Sequence, residues 1–319
     1  MLLTLLILHK LNILRINILQ IEKLKNSLFN WIAKIQVNRF VKLKMAALLI
    51  LFSCINSAFI INPEPKGATL LLQMISHTKK MNRMSYLVKK TERISGKHIT
   101  QISHIEFNKN PFKVYLKQKY PNDGLEVLFV EDKNNNKAKI NPNGFPWVKL
   151  NLSPLNSKMR NNQHHTIYES GFDYFNSILL FLMRKYEYNM DKMIKNNGGI
   201  EWNGISCWEI EIKNISFSYV PYQVKTGETV ISIAKKLHVS AYLILEKNSK
   251  IPDYGAIKSN TLISVPSDYT KKIRLLIDKK KMIPCLIEIE DDEGLFEKYE
   301  ISDFQLRKPE DFNFETAIK

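Results

Sequence analysis

The residues of this sequence that could carry out chemistry are a histidine pair, two glutamates far apart in the chain, and a run of acidic residues. Glycan hydrolysis needs two carboxylates that flank the scissile bond, and Glu169 and Glu201 are candidates without an identifiable partner. The carboxylates of residues 288–293 lie where a predicted strand ends and turns. That position favours a solvated hairpin and, more weakly, a divalent-cation site. His164 and His165, flanked by polar residues, are predicted to be solvent-exposed in a loop.

No motif in the sequence joins such residues into a catalytic site. There is no HExxH zinc motif, no GxSxG nucleophile turn and no glycine-rich phosphate loop. We therefore predict a protein that is not an enzyme, with no catalytic residue, no metal ligand and no cofactor.

The three cysteines, Cys54, Cys207 and Cys285, are too few for a disulfide scaffold and lack the spacing of a zinc site. In an oxidising compartment Cys207 and Cys285 could form a disulfide. Strand alternation argues against this pairing, because it places Cys207 on a face with two glutamates and Cys285 on a face with two isoleucines.

The formal net charge of +16 is concentrated at the start of the chain. Residues 1–44 contain eight Lys or Arg and one Glu, which gives +7 and leaves +9 for the rest. The remaining lysines are scattered and form no basic stripe interleaved with aromatic residues. The sequence therefore predicts no nucleic-acid partner.

Residues 45–58, MAALLILFSCINSA, follow basic residues and combine a short apolar run with small residues. This is the layout of a secretory signal peptide. The sequence Leu51-Phe52-Ser53-Cys54 also resembles a lipoprotein box, so lipidation at Cys54 is an alternative to simple cleavage. We expect an exported protein, located in the periplasm or outer envelope of a Gram-negative bacterium.

The basic N-terminal extension, residues 1–44, has two interpretations. In the first, which we favour, translation begins at or near Met45 and the extension is not translated. In the second, Leu2 to Leu43 is a basic amphipathic helix that lies on a membrane.

Hydrophobic periodicity predicts an α+β fold downstream of the signal. Apolar residues recur at helical spacing in residues 67–81 and 171–188, and elsewhere they alternate with a period of two. The predicted strands are residues 86–94, 99–107, 112–117, 125–130, 148–152, 206–213, 273–278, 283–290 and 296–306. We expect them to form one curved antiparallel β-sheet wrapped around the two helices.

This order of elements, which ends in YEISDFQL at residues 299–306, resembles the half-barrel of the LolA/LolB lipoprotein carriers and an uncharacterised periplasmic family of that shape. The resemblance covers residues 66–218 and 269–316. It implies a concave apolar face that holds a hydrophobic ligand such as a lipid or lipoprotein acyl chain. The alternative is that the large apolar residues of this region only fill a core. They are Phe112, Leu116, Phe129, Trp147, Phe175 and Trp208.

Residues 222–266 interrupt the strand pattern with the order strand, helix, helix, strand. Thr229 and Ser240 are placed to cap the two helices. We expect the short strands at the two ends to lie side by side, which allows a whole domain to be inserted between neighbouring strands of the larger sheet.

This segment resembles a LysM domain at nearly every signature position. It has the Tyr-x-Val opening at Tyr222, the Gly-Glu-Thr turn at residues 227–229, Ile233-Ala234, Val239-Ser240 at the second cap, Asn248, and a Leu-x-x-Val-Pro close at residues 262–266. One feature departs from the family, because Lys258-Ser259-Asn260 stands where Pro-Gly-Gln is usual.

The resemblance implies binding of N-acetylglucosamine glycans in a groove between the first strand–helix loop and the second helix–strand loop. Gly227 permits close approach of the backbone to the sugar, and Val230, Ile251 and Pro252 offer an apolar surface. The residues expected to bind the glycan are Lys225, Thr226, Gly227, Glu228, Thr229, Val230, Asn248, Ser249, Ile251 and Pro252.

The sequence therefore predicts a non-catalytic cell-envelope protein that binds peptidoglycan through residues 222–266. Two alternatives stay open. One is a peptidoglycan hydrolase that a LysM domain delivers to its substrate, and the other is a lipid or lipoprotein carrier.

Overall fold

The computed structural model describes residues 22–27, 30 and 64–318. The chain divides into two units, Met1–Pro63 and Glu64–Lys319. In the first unit, residues 22–27 and 30 are helical. The proposed signal segment, Cys54 and the rest of the basic extension lie outside the described residues. Among the residues that are described, no helix is both long and apolar enough to cross a bilayer.

Eleven strands of the second unit form one open antiparallel sheet, and two further strands form a separate ribbon. The strands are β1 Arg83–Ile94, β2 Lys97–Asn108, β3 Lys113–Tyr120, β4 Glu126–Val130, β5 Ala138–Asn141, β6 Leu150–Leu152, β7 Ile194–Trp202, β8 Ile205–Lys213, β9 Tyr219–Gln223, β10 Leu262–Pro266, β11 Lys272–Asp278, β12 Pro284–Asp291 and β13 Gly294–Leu306. The order across the large sheet is β6-β5-β4-β3-β2-β1-β13-β12-β11-β8-β7. Because β8 and β11 are neighbours, the ribbon β9–β10 and its helices are an insertion between two adjacent strands.

Two-residue turns set the register of three hairpins. Ser95 and Gly96 join β1 to β2 with positive φ at both positions, 49° and 74°, as a type I′ turn requires. Asn203 and Gly204 repeat this geometry between β7 and β8, with φ of 49° and 76°. The predicted turn between β12 and β13 is confirmed, since Asp291 pairs with Gly294 across it.

The helices of the second unit are α1 Gly67–Thr78, α2 Ser157–Arg160, α3 Asp173–Lys185, α4 Met190–Met193, α5 Val230–Leu237 and α6 Ala241–Lys247. Two of them, α1 and α3, cover one face of the large sheet. Helix α1 buries Leu71 and Met74, and α3 buries Leu179, in one apolar cluster with Ile210 of β8 and Ile273 of β11. Each such side chain contributes about 1.5–3 kcal/mol by leaving water. We call the large sheet with α1–α4 the sheet domain, and residues 222–266 the inserted module.

The expected α+β class, an antiparallel sheet packed on helices with an inserted strand–helix–helix–strand unit, is confirmed. Two strands were not predicted. Strand β5 has only four residues. Strand β7 contains Asn196 to Gly199, where the register with β8 shifts, so its sequence has no regular alternation. Long-range pairing with β8, rather than local pattern, makes this segment a strand.

Trp147 does not belong to the core, and its assignment to the core-filling set is wrong. Its side chain is 81% exposed, whereas Phe129 from the same set is 1% exposed. Trp147 lies in the loop between β5 and β6 with a φ of 59°, so strand alternation says nothing about where its side chain points.

Cys207 and Cys285 lie on the same face, which corrects the prediction from strand alternation. Both thiols are free and buried, and their sulfur atoms are 3.1 Å apart. The reason is a β-bulge: Leu276 pairs with Leu286 and Ile277 pairs with Pro284, which leaves Cys285 as the extra residue. A bulge shifts the alternation by one residue, and here it turns Cys285 towards Cys207.

We expect both thiols to resist alkylation in the folded protein. Burial raises the pKa of the Cys207 thiol and that of the Cys285 thiol, so little of the reactive thiolate is present. With reduced protein comprising residues 59–319, iodoacetamide should label the native form on the order of 100-fold more slowly than the urea-unfolded form. Equal rates would show that the two thiols are accessible.

The histidine pair is not solvent-exposed, contrary to the prediction from its polar neighbours. His164 is 4% exposed, and its ring stacks between Tyr242 and Phe296 with centroid distances of 4.4 and 4.1 Å. Its Nδ1 lies 3.0 Å from the carboxylate of Glu297. The partner that makes burial possible is 133 residues away in the chain, so local sequence carried no signal for it.

The acidic run at residues 288–293 is also not solvated throughout. Asp292 and Glu293 are exposed at the turn, as expected. Asp291 is 3% exposed, and its carboxylate accepts hydrogen bonds from Arg93 of β1, at 2.9 Å for the Oδ1 contact. A buried carboxylate needs such a partner, and this one also comes from far away in the chain.

Candidate glycan-binding site

The inserted module has its own apolar core beneath the predicted groove. Strands β9 and β10 pair in antiparallel fashion, with Tyr222 opposite Ile263. Helices α5 and α6 pack on this ribbon through a buried cluster that comprises Val224, Val230, Ile233, Ala234, Val239, Ile244, Ile263 and Val265. The groove loops are therefore fixed at both ends by buried apolar residues.

The predicted caps start both helices. Thr229 Oγ1 accepts a hydrogen bond from Ser232 N at 3.0 Å, and Ser232 Oγ accepts one from Thr229 N at 2.8 Å, which forms a reciprocal capping box. Ser240 Oγ accepts from Leu243 N at 3.5 Å. Such caps contribute about 1 kcal/mol each. His238 ends α5 in the left-handed conformation, with a φ of 55°.

The first loop is an exposed turn held by one carboxylate. Gly227 has a φ of 79°, and a Cβ placed there would meet open space. The carboxylate of Glu228 accepts hydrogen bonds from Tyr222 Oη at 2.8 Å, Lys225 N at 2.9 Å and Lys236 Nζ at 3.0 Å. The backbone N–H of Lys225, followed by the two side chains, lowers the pKa of Glu228 to about 2. Glu228 thus shapes the loop as an anion at neutral pH.

The second loop begins at an asparagine whose side chain has no free polar group. Asn248 Nδ2 donates to Ile244 O at 2.6 Å and to Ser264 O at 2.7 Å, and Oδ1 accepts from Ser264 N at 2.9 Å. These bonds tie the end of α6 to β10. Ile251 N then donates to Asn248 O at 2.8 Å, which closes the turn.

The segment after the second loop pairs with the first loop. Val230 N donates to Gly255 O at 3.1 Å, and Ile257 N donates to Glu228 O at 3.1 Å. The residues that depart from the LysM pattern lie beside the first loop as well, since Ser259 Oγ is 3.2 Å from Thr226 Oγ1. The altered segment 258–260 therefore forms part of the same surface.

The ten predicted glycan-binding residues fall into two groups. Four side chains already make contacts inside the module. Glu228 holds the first loop, Thr229 caps α5, Val230 lies in the core, and Asn248 bonds to β10. The other residues face solvent or are half-buried, and they are Lys225, Thr226, Gly227, Ser249, Ile251 and Pro252. Contact with a glycan remains a prediction for all ten, and the second group offers the free surface for it.

The glutamates considered for hydrolysis lie on separate elements. Glu169 Oε2 accepts a hydrogen bond from Thr166 N at 2.6 Å and caps a 3-10 turn at Ile167–Glu169. Glu201 is exposed on β7. These positions give no indication that the two carboxylates act in one site.

Helix α6 joins the inserted module to the sheet domain. Leu243 is fully buried in the apolar cluster of the sheet domain, whereas the next residue, Ile244, is fully buried in the cluster of the module. One helix thus contributes to two cores. Sequence periodicity alone does not show that these two neighbouring residues face different cores.

Polar contacts hold the same helix on the sheet domain. Arg93 Nη2 donates to Glu246 Oε2 of α6 at 2.9 Å, and the same guanidinium binds Asp291. Ser95 N donates to Tyr242 Oη at 2.8 Å. We call the set Arg93, Ser95, Tyr242, Leu243 and Glu246 the α6 junction.

Aromatic contacts extend the junction on both sides of α6. The ring of His238 stacks on Phe181 of α3 with a centroid distance of 4.1 Å. The guanidinium of Arg160 lies 3.3 Å from the ring centroid of Tyr254. The module is therefore packed directly against the sheet domain.

Comparison with protein families agrees with this geometry. The LysM domain model matches residues 222–266. A second model, described as "Protein of unknown function (DUF1571)", matches residues 81–242, just over half of the chain. The chain belongs to the DUF1571 family. The match to this family runs from β1 to α6, so it includes the junction residues Arg93 and Tyr242, and it ends inside the LysM domain.

Solved structures similar to this DUF1571 protein include three at low sequence identity. The lipoprotein LppX of Mycobacterium tuberculosis is 14% identical with a TM-score of 0.36, over 77% of this chain and 98% of that one. A LolA superfamily protein from Nitrosomonas europaea is 10% identical with a TM-score of 0.28, over 80% and 98%. The Pseudomonas aeruginosa MucA/MucB complex gives 9% identity and a TM-score of 0.34, over 75% and 56%. No curated protein matches this chain.

Proposed function

We propose that this protein is an exported, non-catalytic envelope protein that binds peptidoglycan through the LysM domain at residues 222–266. The observation that carries the proposal is the LysM match together with the free surface of the two loops beside it. Thr226, Gly227, Ser249 and Pro252 are exposed, and the carboxylate and amide behind them are already satisfied within the module.

The geometry supports a fixed presentation of the glycan rather than a loose attachment. Because α6 contributes Leu243 to the core of the sheet domain, a glycan bound at the loops would hold the sheet domain in one orientation relative to the cell wall. We propose that orientation of the sheet domain at the wall is what the insertion provides.

The test is co-sedimentation of residues 59–319 with purified peptidoglycan. The double variant Ser249→Asp and Pro252→Asp places two carboxylates on the second loop and removes the apolar ring of Pro252. It should weaken binding about tenfold or more, which corresponds to about 1.4 kcal/mol. These positions are exposed, so the fold should be retained.

Lys235→Asp is the matched control, because it adds a carboxylate at an exposed position on α5 of the same module. It should sediment like the unchanged protein. Equal binding by the control and the double variant would mean that the loops do not form the glycan site. Point variants are preferable to deletion of residues 222–266, since deletion would remove Leu243 from the core of the sheet domain.

The carrier alternative meets a structural obstacle. Among the described residues, the helix-covered face of the sheet is occupied by α1, α3 and Leu243, whose buried side chains include Leu71, Leu179 and Leu243 at 0% exposure. An acyl chain would have to displace one of these elements. Lipid that copurifies with the protein, detected by mass spectrometry, would favour the carrier function.

A further inference from the structure

A buried cluster of two glutamates and a histidine lies outside the glycan loops. Glu92 of β1, Glu297 of β13 and His165 each offer one nitrogen or oxygen atom, and these atoms all lie within 4.8 Å of one another. Glu92 and Glu297 are each 1% exposed. The side chain of His165 is 19% exposed and so is the member of the cluster nearest to solvent.

The strand register makes this arrangement unusual. Glu92 and Glu297 are direct partners across the β1–β13 pair. Like charges directly opposite one another destabilise a sheet, and burial increases that cost. Groups that can carry positive charge lie against both carboxylates, since Lys90 Nζ is 3.2 Å from Glu92 Oε2 and His165 Nε2 is 3.0 Å from Glu297 Oε2.

Two tyrosine hydroxyls face the carboxylate oxygens of the cluster. Tyr299 Oη lies 2.8 Å from Glu92 Oε1 and 3.1 Å from Glu297 Oε2, yet a tyrosine has one proton to donate. Tyr269 Oη lies 2.7 Å from Glu297 Oε1, and its single proton is used there. Glu297 Oε2 also faces His164 Nδ1 and His165 Nε2, each at 3.0 Å, so the two carboxylates, the two tyrosines and the two histidines form one connected network.

The groups around the cluster have the form of an outer coordination shell. His164 Nδ1 lies 3.0 Å from Glu297 Oε2, and His164 Nε2 lies 2.8 Å from Arg93 O. His164 thereby links the carboxylate of Glu297 to the backbone of β1. Hydrogen bonds of this kind orient metal-ligating carboxylates and histidines.

We propose that Glu92, His165 and Glu297 bind a divalent transition-metal ion. His165 Nε2 lies 3.0 Å from Glu297 Oε2, so the ion would take the place of the proton between them, and His165 would release that proton to solvent. A mixed nitrogen and oxygen set with three protein ligands suits Zn²⁺ or Mn²⁺ better than Ca²⁺ or Mg²⁺, which prefer oxygen ligands alone. The ion would join β1 to β13 and to the loop that carries His164 under Tyr242.

The test is calorimetric titration of chelator-treated residues 59–319 with Zn²⁺, since the apolar clusters all lie within the unit Glu64–Lys319. The expected result is one equivalent bound, with affinity at least about tenfold lower in His165→Gln and in Glu92→Gln. His104→Gln is the matched control, because His104 Nε2 lies 3.1 Å from Glu106 Oε1 on the same sheet without a third ligand. This control should bind Zn²⁺ like the unchanged protein.

A second measurement does not depend on any variant. The visible spectrum of the Co²⁺-substituted protein should show a low-symmetry site with nitrogen and oxygen ligands. No Zn²⁺ binding by the unchanged protein, or equal binding by His165→Gln and the unchanged protein, would overturn the proposal. In that case the cluster is a hydrogen-bonded network whose role is to stabilise the packing at the α6 junction. Either outcome is independent of glycan binding.

Discussion

Replacing Arg93 by methionine is expected to lower the free energy of unfolding by about 3–5 kcal/mol. The guanidinium is 5% exposed, and the side chain of Asp291 that it binds is 1% exposed. Methionine would leave that carboxylate buried without its cation, and this loss costs far more than the pair contributes. Glu246 of α6 would lose its partner too. The measurement is denaturant unfolding of residues 59–319.

Lys89→Met on the same strand is the control for Arg93→Met. Lys89 pairs with Glu300 at 3.1 Å, but its side chain is 47% exposed, so the cost should be about 0–1 kcal/mol. Adding Asp291→Asn to Arg93→Met should recover part of the lost stability, because the unpaired buried charge is removed. Equal effects of Arg93→Met and Lys89→Met would contradict the buried pair.

Leu243→Ala is expected to destabilise the sheet domain, although Leu243 belongs to the inserted LysM domain. Its side chain is 0% exposed within the cluster formed by α1, α3 and the large sheet. Truncating a fully buried leucine costs about 2–5 kcal/mol. If the two parts unfold as one cooperative unit, this loss will shift the unfolding transition of the whole protein.

Tryptophan fluorescence makes this measurement selective. Residues 222–266 contain no tryptophan, and the described tryptophans are Trp147, Trp202 and Trp208, all in the sheet domain. A shift of the fluorescence-detected midpoint by Leu243→Ala therefore reports coupling between the two parts. Leu262→Ala, at a position that is 70% exposed, should change the free energy of unfolding by no more than about 0.5 kcal/mol. An unchanged midpoint for Leu243→Ala would mean that the LysM domain unfolds separately.

Local signals in the sequence predicted the inserted domain and most hairpins. The caps at Thr229 and Ser240 and the turn at Asp292 and Glu293 depend on residues within a few positions of each other, and the structure has all of them. The LysM pattern is also contained in one short segment. Such features need no knowledge of the rest of the chain.

Features that depend on distant partners were missed. His164 is buried because of Glu297, and Asp291 because of Arg93, and neither partner is near in sequence. Cys285 changes face because a bulge interrupts the alternation on which the prediction relied. The pairing of Glu92 with Glu297 follows from strand register, which hydrophobic periodicity alone does not fix.

Glycan binding by the LysM domain can be tested by hydrogen–deuterium exchange of residues 59–319 with and without a soluble N-acetylglucosamine oligomer. We predict slower exchange in the two loops, residues 225–230 and 248–252, with the sheet domain unchanged or stabilised through α6. Protection confined to the sheet domain, or none at a saturating oligomer concentration, would contradict glycan binding by this LysM domain.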